Sequence, residues 1–176
     1  MPIEFTRIDD RLIHAQTILG WAAFIKPDLI IVASNEAARD DLRKRILLAA
    51  GSTLSINAPD IEIQTLDNSV LILKKEKKRS ILIISNPEDA VFLIEKGVDI
   101  KKISVGWMSY NYGKKKIFDT VYANEEDIEA FKRLIKLGTC LSYQATLSDN
   151  KTNIDENIMN YHLRSKKKSL KCRKGL

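Results

Sequence analysis

The residues best suited to chemistry lie together near the start of the chain, in the segment RIDDRLIH over residues 7–14. This segment holds two carboxylates, two guanidinium groups and one imidazole. A histidine ring nitrogen can accept a phosphoryl group, and a nearby carboxylate or backbone carbonyl can fix which nitrogen carries the proton. Arg11 lies three residues before His14 and can offer a phosphate two parallel hydrogen bonds. Since phosphoryl transfer requires mainly positioning and charge stabilisation, the segment contains suitable parts for it.

The same residues also have a purely structural interpretation. A lone histidine near the start of a helix is more often a surface or capping residue. Asp9 and Asp10 can be ordinary turn residues, and Arg11 a solvated cation. Chemistry alone therefore leaves both interpretations of His14 open.

The elements that must position this segment follow from the pattern of apolar residues. Alternating segments and continuous apolar runs predict strands at 3–8, 29–33, 61–66, 80–85, 100–105 and 139–145. Capping signals and apolar stripes predict helices at about 12–24, 36–50, 67–77, 87–97, 124–137 and 153–161. The alternation predicts one α/β domain over residues 1–161, with a mainly parallel central β-sheet flanked by helices on both faces.

Ligands of open α/β sheets bind at the carboxyl ends of the strands, on the loops that lead into helices. Three such loops are candidates here, at residues 9–14, 85–87 and 106–113. The first leads into a predicted helix, whose N-terminal N–H groups would favour a bound phosphate. Residues 106–116 are polar and aromatic and predict a surface loop.

The segment RIDDRLIH, followed by Gln16 and placed just after a first strand, resembles the active-site signature of a known family. That family is the enzyme IIB component of the mannose/fructose/sorbose class of the bacterial sugar phosphotransferase system (PTS). The resemblance covers about residues 3–150 and continues in three further motifs: Ser85-Asn86-Pro87, similar to the family's Thr-Asn-Pro; Lys96-Gly97-Val98, similar to Gly-Gly-Val; and Val105-Gly106-x-Met108 with Gly113-Lys114, similar to Asn-Val-Gly-Gly-Met and a later Gly-Lys.

The resemblance implies a phosphohistidine carrier. It would accept a phosphoryl group from enzyme IIA on His14, usually through Nδ1, and pass it to a sugar bound by the membrane components IIC and IID. Arg11 would hold the phosphate and Asp10 would organise the loop. The remaining residues expected to support the phosphate or its loops are Arg7, Asp9, Gln16, Ser85, Asn86, Gly106, Trp107 and Met108.

The resemblance also implies a cytoplasmic protein associated with the inner face of the membrane through IIC and IID, and it is compatible with a homo-oligomer. A regulatory phosphoprotein of the same fold, without a transport role, is the alternative. Three departures from the family pattern bear on partner specificity: Ala15 and Trp107 stand where the family has glycine, and Ser104 where it has asparagine. The Trp107 indole would crowd the phosphate or reshape a docking surface if its loop faces His14, and otherwise would pack against a neighbouring helix.

The positive charge of the chain is confined to its end. Of the 29 basic residues, seven lie in residues 162–176 without any acid, which leaves 22 basic against 23 acidic residues in the body of the chain. A nucleic-acid interface is therefore not expected, because the basic excess is not spread over the domain. We expect the tail to be a disordered, solvated end, with attraction to anionic lipid as the alternative.

Several function classes are excluded by what the sequence lacks. It contains no apolar run long enough to cross a membrane and no visible secretory signal. Cys140 and Cys172 match no metal or redox motif and fit a reducing cytosol. The two histidines and two cysteines predict no metal site. Without a dinucleotide-binding or Walker A motif, no cofactor is expected.

Overall fold

The structure is a computed structural model that describes residues 3–14, 20–52 and 59–161. Its strands are β1 (Ile3–Asp9), β2 (Leu29–Ala33), β3 (Asp60–Gln64), β4 (Ser80–Ile84), β5 (Lys102–Trp107), β6 (Lys115–Phe118), β7 (Val121–Ala123), β8 (Cys140–Tyr143) and β9 (Thr152–Asn153). Its helices are α1 (Ala23–Ile25), α2 (Asn35–Arg39), α3 (Asp41–Ser52), α4 (Leu66–Lys75), α5 (Pro87–Glu95), α6 (Glu125–Lys136) and α7 (Asp155–Met159).

The main sheet has the strand order β3-β2-β4-β1-β5-β8-β9. The pairs from β3 to β8 are parallel, and β9 runs antiparallel to β8 at the edge. Strands β6 and β7 form a separate antiparallel pair. The first strand, β1, therefore lies inside the sheet between β4 and β5, where its carboxyl end is flanked by the ends of both neighbours.

Alternate residues of the inner strands belong to two separate apolar clusters. Ile31 and Leu82 belong to the cluster covered by α4, α5, α6 and α7. Ile30 and Ile81 belong to the other cluster, which includes residues of α2 and α3. Because successive side chains of a strand point to opposite faces, each face is buried under its own helices. The predicted mainly parallel sheet with helices on both faces is confirmed.

Three of the six predicted helix starts are confirmed by their caps. The side chains of Ser34, Asn86 and Asn124 each accept a hydrogen bond from a backbone N–H of the helix that follows. Two details are wrong. The helix predicted at 36–50 is two helices, because Asp40 adopts an extended conformation and its carboxylate accepts from the Arg43 N–H. Thr65, and not Asp67, caps α4.

The predicted start of the first helix at Leu12 is wrong. Leu12 has a φ of 61°, in the left-handed region, and its N–H donates to the Asp9 carbonyl at 2.9 Å. The chain thus makes a tight turn at this point, with the Leu12 side chain fully buried. Residues 15–19 lie outside the described residues, and the described helix is α1, from Ala23 to Ile25. His14 itself lies outside the described helices, and it is the last described residue before the gap at 15–19.

The predicted surface loop at 106–116 is wrong at both ends. Strand β5 continues to Trp107, and β6 begins at Lys115. Strands β6, β7 and β9 were not predicted because they are short and lack a buried apolar run. No helix in the described ranges is long and apolar enough to cross a membrane.

Candidate active site

Asp9 is the centre of the site. It is the last residue of β1, and its side chain is completely buried. Its Oδ2 atom lies 3.1 Å from Nη2 of Arg7, 2.9 Å from Nη2 of Arg11 and 3.2 Å from Nε2 of His14. Arg7 lies on the same face of β1, two residues earlier, as strand geometry requires. The turn after Asp9 brings the other two side chains back over the carboxylate.

Arg7 forms the buried base of this cluster. Its side chain is 1% exposed, and its Nε and Nη2 atoms both donate to Asp9. Its Nη1 donates to the Gln144 carbonyl at 3.0 Å and its Nη2 to the Ala145 carbonyl at 2.8 Å. The pKa of Arg7 lies below its usual value because the side chain is buried, and the neighbouring carboxylate of Asp9 offsets only part of that effect. Arg7 thus ties β1 to the chain that follows β8.

The position of the Arg7 side chain requires a glycine at residue 106. A Cβ atom at this position would overlap the guanidinium group of Arg7. That group cannot move aside easily, because two backbone carbonyls and Asp9 already hold it. The sequence prediction placed Gly106 in a loop near the phosphate. The structure shows that it lies within β5 and makes room for the buried arginine.

Arg11 lies on the more open side of the carboxylate. Its Nε donates to Oδ1 of Asp9 and its Nη2 to Oδ2, both at 2.9 Å. Its guanidinium carbon lies 4.0 Å from the centre of the Trp107 ring, and its side chain is 29% exposed. The pairing with Asp9 is bidentate, which fixes the plane of the guanidinium group as well as its position.

The charge of Asp9 determines how His14 is held. Burial raises the pKa of Asp9, but hydrogen bonds from His14 and Arg11 and the charge of Arg7 outweigh burial and bring that pKa to about 2. Asp9 is therefore ionised near neutral pH and can only accept hydrogen bonds. The contact with Nε2 thus assigns the proton of the neutral imidazole to Nε2 and the lone pair to Nδ1. The His14 side chain is 20% exposed.

Asp10 joins this loop to the end of β5. Its carboxylate accepts hydrogen bonds from the N–H and the hydroxyl of Ser109, and its own N–H donates to the Trp107 carbonyl at 3.2 Å. The indole N–H of Trp107 donates to the Ser109 hydroxyl at 3.3 Å. These contacts connect two loops at the same edge of the sheet, and the role of Asp10 in organising the phosphate loop stays a prediction.

Ser85, Asn86 and Met108 lie around a neighbouring cleft of about 330 Å³, which Asp10 also lines. Within the segment 7–14, which the structure describes in full, Asp10 is the residue that lines this cleft. The structure therefore groups the predicted site residues into two sets: the Asp9 cluster with Gly106 and Trp107, and the cleft. Gln16 lies outside the described residues.

Three contributors to the site were missed from the sequence. Gln144 and Ala145 act through backbone carbonyls, so no side-chain pattern could indicate them. Ser109 was not singled out because a serine in a polar loop carries no distinguishing signal. Asp9 thus contacts His14 and pairs with two arginines, so the histidine lies in a cluster whose cationic side chains suit an anionic group.

Comparison with known proteins identifies the family of this chain. The family model described as PTS system sorbose subfamily IIB component matches residues 3–170. The fructose-specific EIIB component of Bacillus subtilis is 34% identical over 149 residues, which cover 85% of this chain and 91% of that protein. The mannose-specific EIIAB component of Escherichia coli is 35% identical over 156 residues, which cover 86% of this chain and 46% of that protein.

Solved structures give the same result. The crystal structure of the IIB domain of the sorbose permease from Klebsiella pneumoniae superposes with a TM-score of 0.82 at 28% identity. The match covers 91% of this chain and 98% of that domain.

Proposed function

This chain belongs to the sorbose subfamily of PTS IIB components, and on that basis we propose that it carries a phosphoryl group on His14. Membership of the family places it in sugar phosphotransfer. The observation that carries the assignment to His14 is the 3.2 Å contact between its Nε2 and the buried, ionised Asp9. This contact directs the lone pair of the neutral ring to Nδ1.

In the proposed reaction, the Nδ1 lone pair attacks the phosphorus of a phosphohistidine on enzyme IIA. The P–N bond of the donor breaks as the new P–N bond forms, and the bonding electrons return to the donor ring. The His14 ring gains positive character during this step, because its lone pair is now shared with phosphorus. Asp9 stabilises that charge through the hydrogen bond from Nε2.

Arg11 is proposed to bind the transferred group. Its Nε–Nη2 edge is occupied by Asp9, so the opposite edge, with Nη1 and the second hydrogen of Nη2, points away from that carboxylate. Two parallel donors in one plane match the oxygens of a phosphoryl group. Asp9 thus orients both the nucleophile and the group that receives the charge.

In the second half of the proposed reaction, a sugar hydroxyl attacks the phosphorus, its proton passes to a base of the membrane components or to water, and the P–N electron pair returns to Nδ1. We assign the sugar to the membrane components IIC and IID, which would also place this chain at the inner face of the membrane. The name EIIAB of the Escherichia coli relative supports a IIA domain as the donor. Ser85, Asn86 and Met108, around the cleft beside Asp10, are proposed to contribute to partner docking.

The test is phosphorylation by the general phosphotransferase proteins, a cognate IIA and labelled phosphoenolpyruvate. We expect one acid-labile, base-stable phosphohistidine that is lost in His14→Ala. The chain contains two histidines, so His162→Ala is the matched control and should keep the label. Absence of label on the wild type with several IIA partners, or its persistence in His14→Ala, would contradict the proposal.

Transport is then tested separately from regulation. Phosphorylated protein is added to membranes that contain IIC, IID and candidate sugars, and sugar phosphate is measured. A protein that is phosphorylated on His14 but transfers to no sugar with any membrane pair would support the regulatory alternative.

A further inference from the structure

Trp107 stands at the point where the two loops of the site meet. It is the last residue of β5 and pairs in register with Asp9 of β1. Its indole N–H donates to the Ser109 hydroxyl, which in turn donates to Asp10. The indole is thus held in place by the same contacts that organise the loop after β1.

The guanidinium group of Arg11 lies over this indole ring, with its central carbon 4.0 Å from the ring centre. An arginine over an indole face is attracted by the ring quadrupole, and tryptophan is the best of the aromatic partners. Arg11 therefore has two restraints. Asp9 holds one edge of the guanidinium group, and Trp107 holds one face.

These two restraints act on different degrees of freedom. The bidentate pairing with Asp9 sets the distance and the direction of the donor edge but permits the guanidinium group to tilt about that edge. The indole ring, whose centre lies 4.0 Å from the guanidinium carbon, opposes this tilt on its side. With both in place, the donors on the opposite edge keep one plane, which preorganises them for an anion and lowers the cost of ordering them on binding.

We propose that Trp107 is a positioning residue for phosphoryl transfer, which fixes the plane in which Arg11 presents its free edge to the phosphoryl group on His14. This role rests on the proposed function of His14 and extends it to a residue at which the chain departs from the glycine of the family signature. The indole acts through Arg11 and does not itself touch the phosphoryl group.

The test is a double-mutant cycle on the rate at which a phosphorylated IIA labels His14 in a single turnover. Trp107→Leu keeps an apolar side chain but removes the aromatic face. It should slow transfer by about two- to fivefold, the rate equivalent of a partly exposed cation–π contact. Trp107→Phe, which retains a face, should lie between leucine and wild type. In an Arg11→Ala background, Trp107→Leu should cause no further loss.

Phe92→Leu is the matched control, since it removes another cation–π pair, with Nζ of Lys96 5.5 Å from the Phe92 ring, on α5. It should transfer at the wild-type rate. Thermal melts of all variants identify any that fail to fold, and the phenylalanine variant then completes the cycle in place of leucine.

The proposal is overturned if Trp107→Leu transfers at the wild-type rate. It is also overturned if that change slows the Arg11→Ala protein by the same factor as it slows the wild type, since Trp107 would then act independently of Arg11. Either result leaves the assignment of His14 intact. A wild type that accepts no phosphoryl group contradicts the proposed function instead, so the two failures are distinguishable.

Discussion

Replacing Asp9 by asparagine removes one buried negative charge and changes the size of the side chain very little. Three cationic or proton-donating groups depend on that charge: Arg7, Arg11 and His14. Arg7 is the most affected, because its side chain is 1% exposed and it would remain as a buried cation beside a neutral amide. We predict that Asp9→Asn destabilises the fold at neutral pH.

The size of the effect follows from two independent considerations. Removing one partner of a buried ion pair costs about 3–5 kcal/mol. The fall in the pKa of Asp9 from 3.8 to about 2 on folding corresponds to about 2 kcal/mol at neutral pH. The expected loss is therefore about 2–5 kcal/mol, equivalent to a fall in Tm of roughly 4–20 °C for a domain of this size.

The assay is urea or thermal unfolding of wild type and Asp9→Asn over a range of pH. A carboxyl group whose pKa falls on folding stabilises the protein above the unfolded value and loses that contribution as pH drops through the folded value. The difference between the two proteins should therefore be largest above about pH 5 and should shrink as the pH falls from 3.8 towards 2. A difference below about 1 kcal/mol at pH 7, or one that does not change with pH over this range, would refute the assignment of Asp9 as the ionised centre of the cluster.

Other substitutions test separate contacts. Arg11→Lys keeps the charge but loses the bidentate geometry, so phosphoryl transfer should slow by about tenfold in a single-turnover assay while the melting temperature changes little; equal rates would refute its role. Gly106→Ala places a methyl group against the Arg7 guanidinium and should lower the free energy of unfolding in urea by about 1–3 kcal/mol. Gly113→Ala is the control for loss of a glycine without that overlap, because a Cβ at Gly113 meets no atom within 4 Å, although φ is +87°. Burial, together with Glu88 and Glu36, raises the pKa of Asp89 to about 6 against the opposing hydrogen bond from Asn86. Asp89→Asn should therefore stabilise the fold by about 1–3 kcal/mol at pH 7, and this gain should disappear as the pH falls from 6 towards 4. An unchanged stability at pH 7 would contradict this prediction.

The regular part of the fold is predictable from the sequence because its signals are local. The runs at 29–33 and 81–84 are continuously apolar, and the strands β2 and β4 that contain them are buried along their whole length. The cap at Asn86 and the capping box at Asn124 depend on side chains only three residues from their partners. Such features require no knowledge of distant contacts.

The parts that were missed depend on contacts between distant segments. Leu12 adopts a left-handed conformation, which is rare for leucine and has no sequence signal. The burial of Arg7 depends on carbonyls 137 and 138 residues away, and charged residues are normally expected at the surface. Strands β6 and β7 pair with each other in a polar segment, where alternation is too weak to indicate them.

The candidate site was predicted as a set of residues but not as a geometry. The sequence indicated His14 and Arg11 as the reacting pair, and the structure places both on one carboxylate. It did not indicate that Asp9, and not Asp10, contacts the imidazole, because both aspartates precede it in the same turn. For Trp107 the sequence allows two interpretations, and the structure places its ring centre 4.0 Å from the guanidinium carbon of Arg11, beside the Asp9 cluster.

The measurement that tests the account most directly is nitrogen NMR of the phosphorylated protein with ¹⁵N-labelled histidine rings. We predict that phosphorus is bonded to Nδ1 of His14 and that Nε2 retains its proton, as the contact with Asp9 requires. The signals of His162 should be the same before and after phosphorylation. Phosphorus on Nε2 of His14, or on any other side chain, would contradict the account.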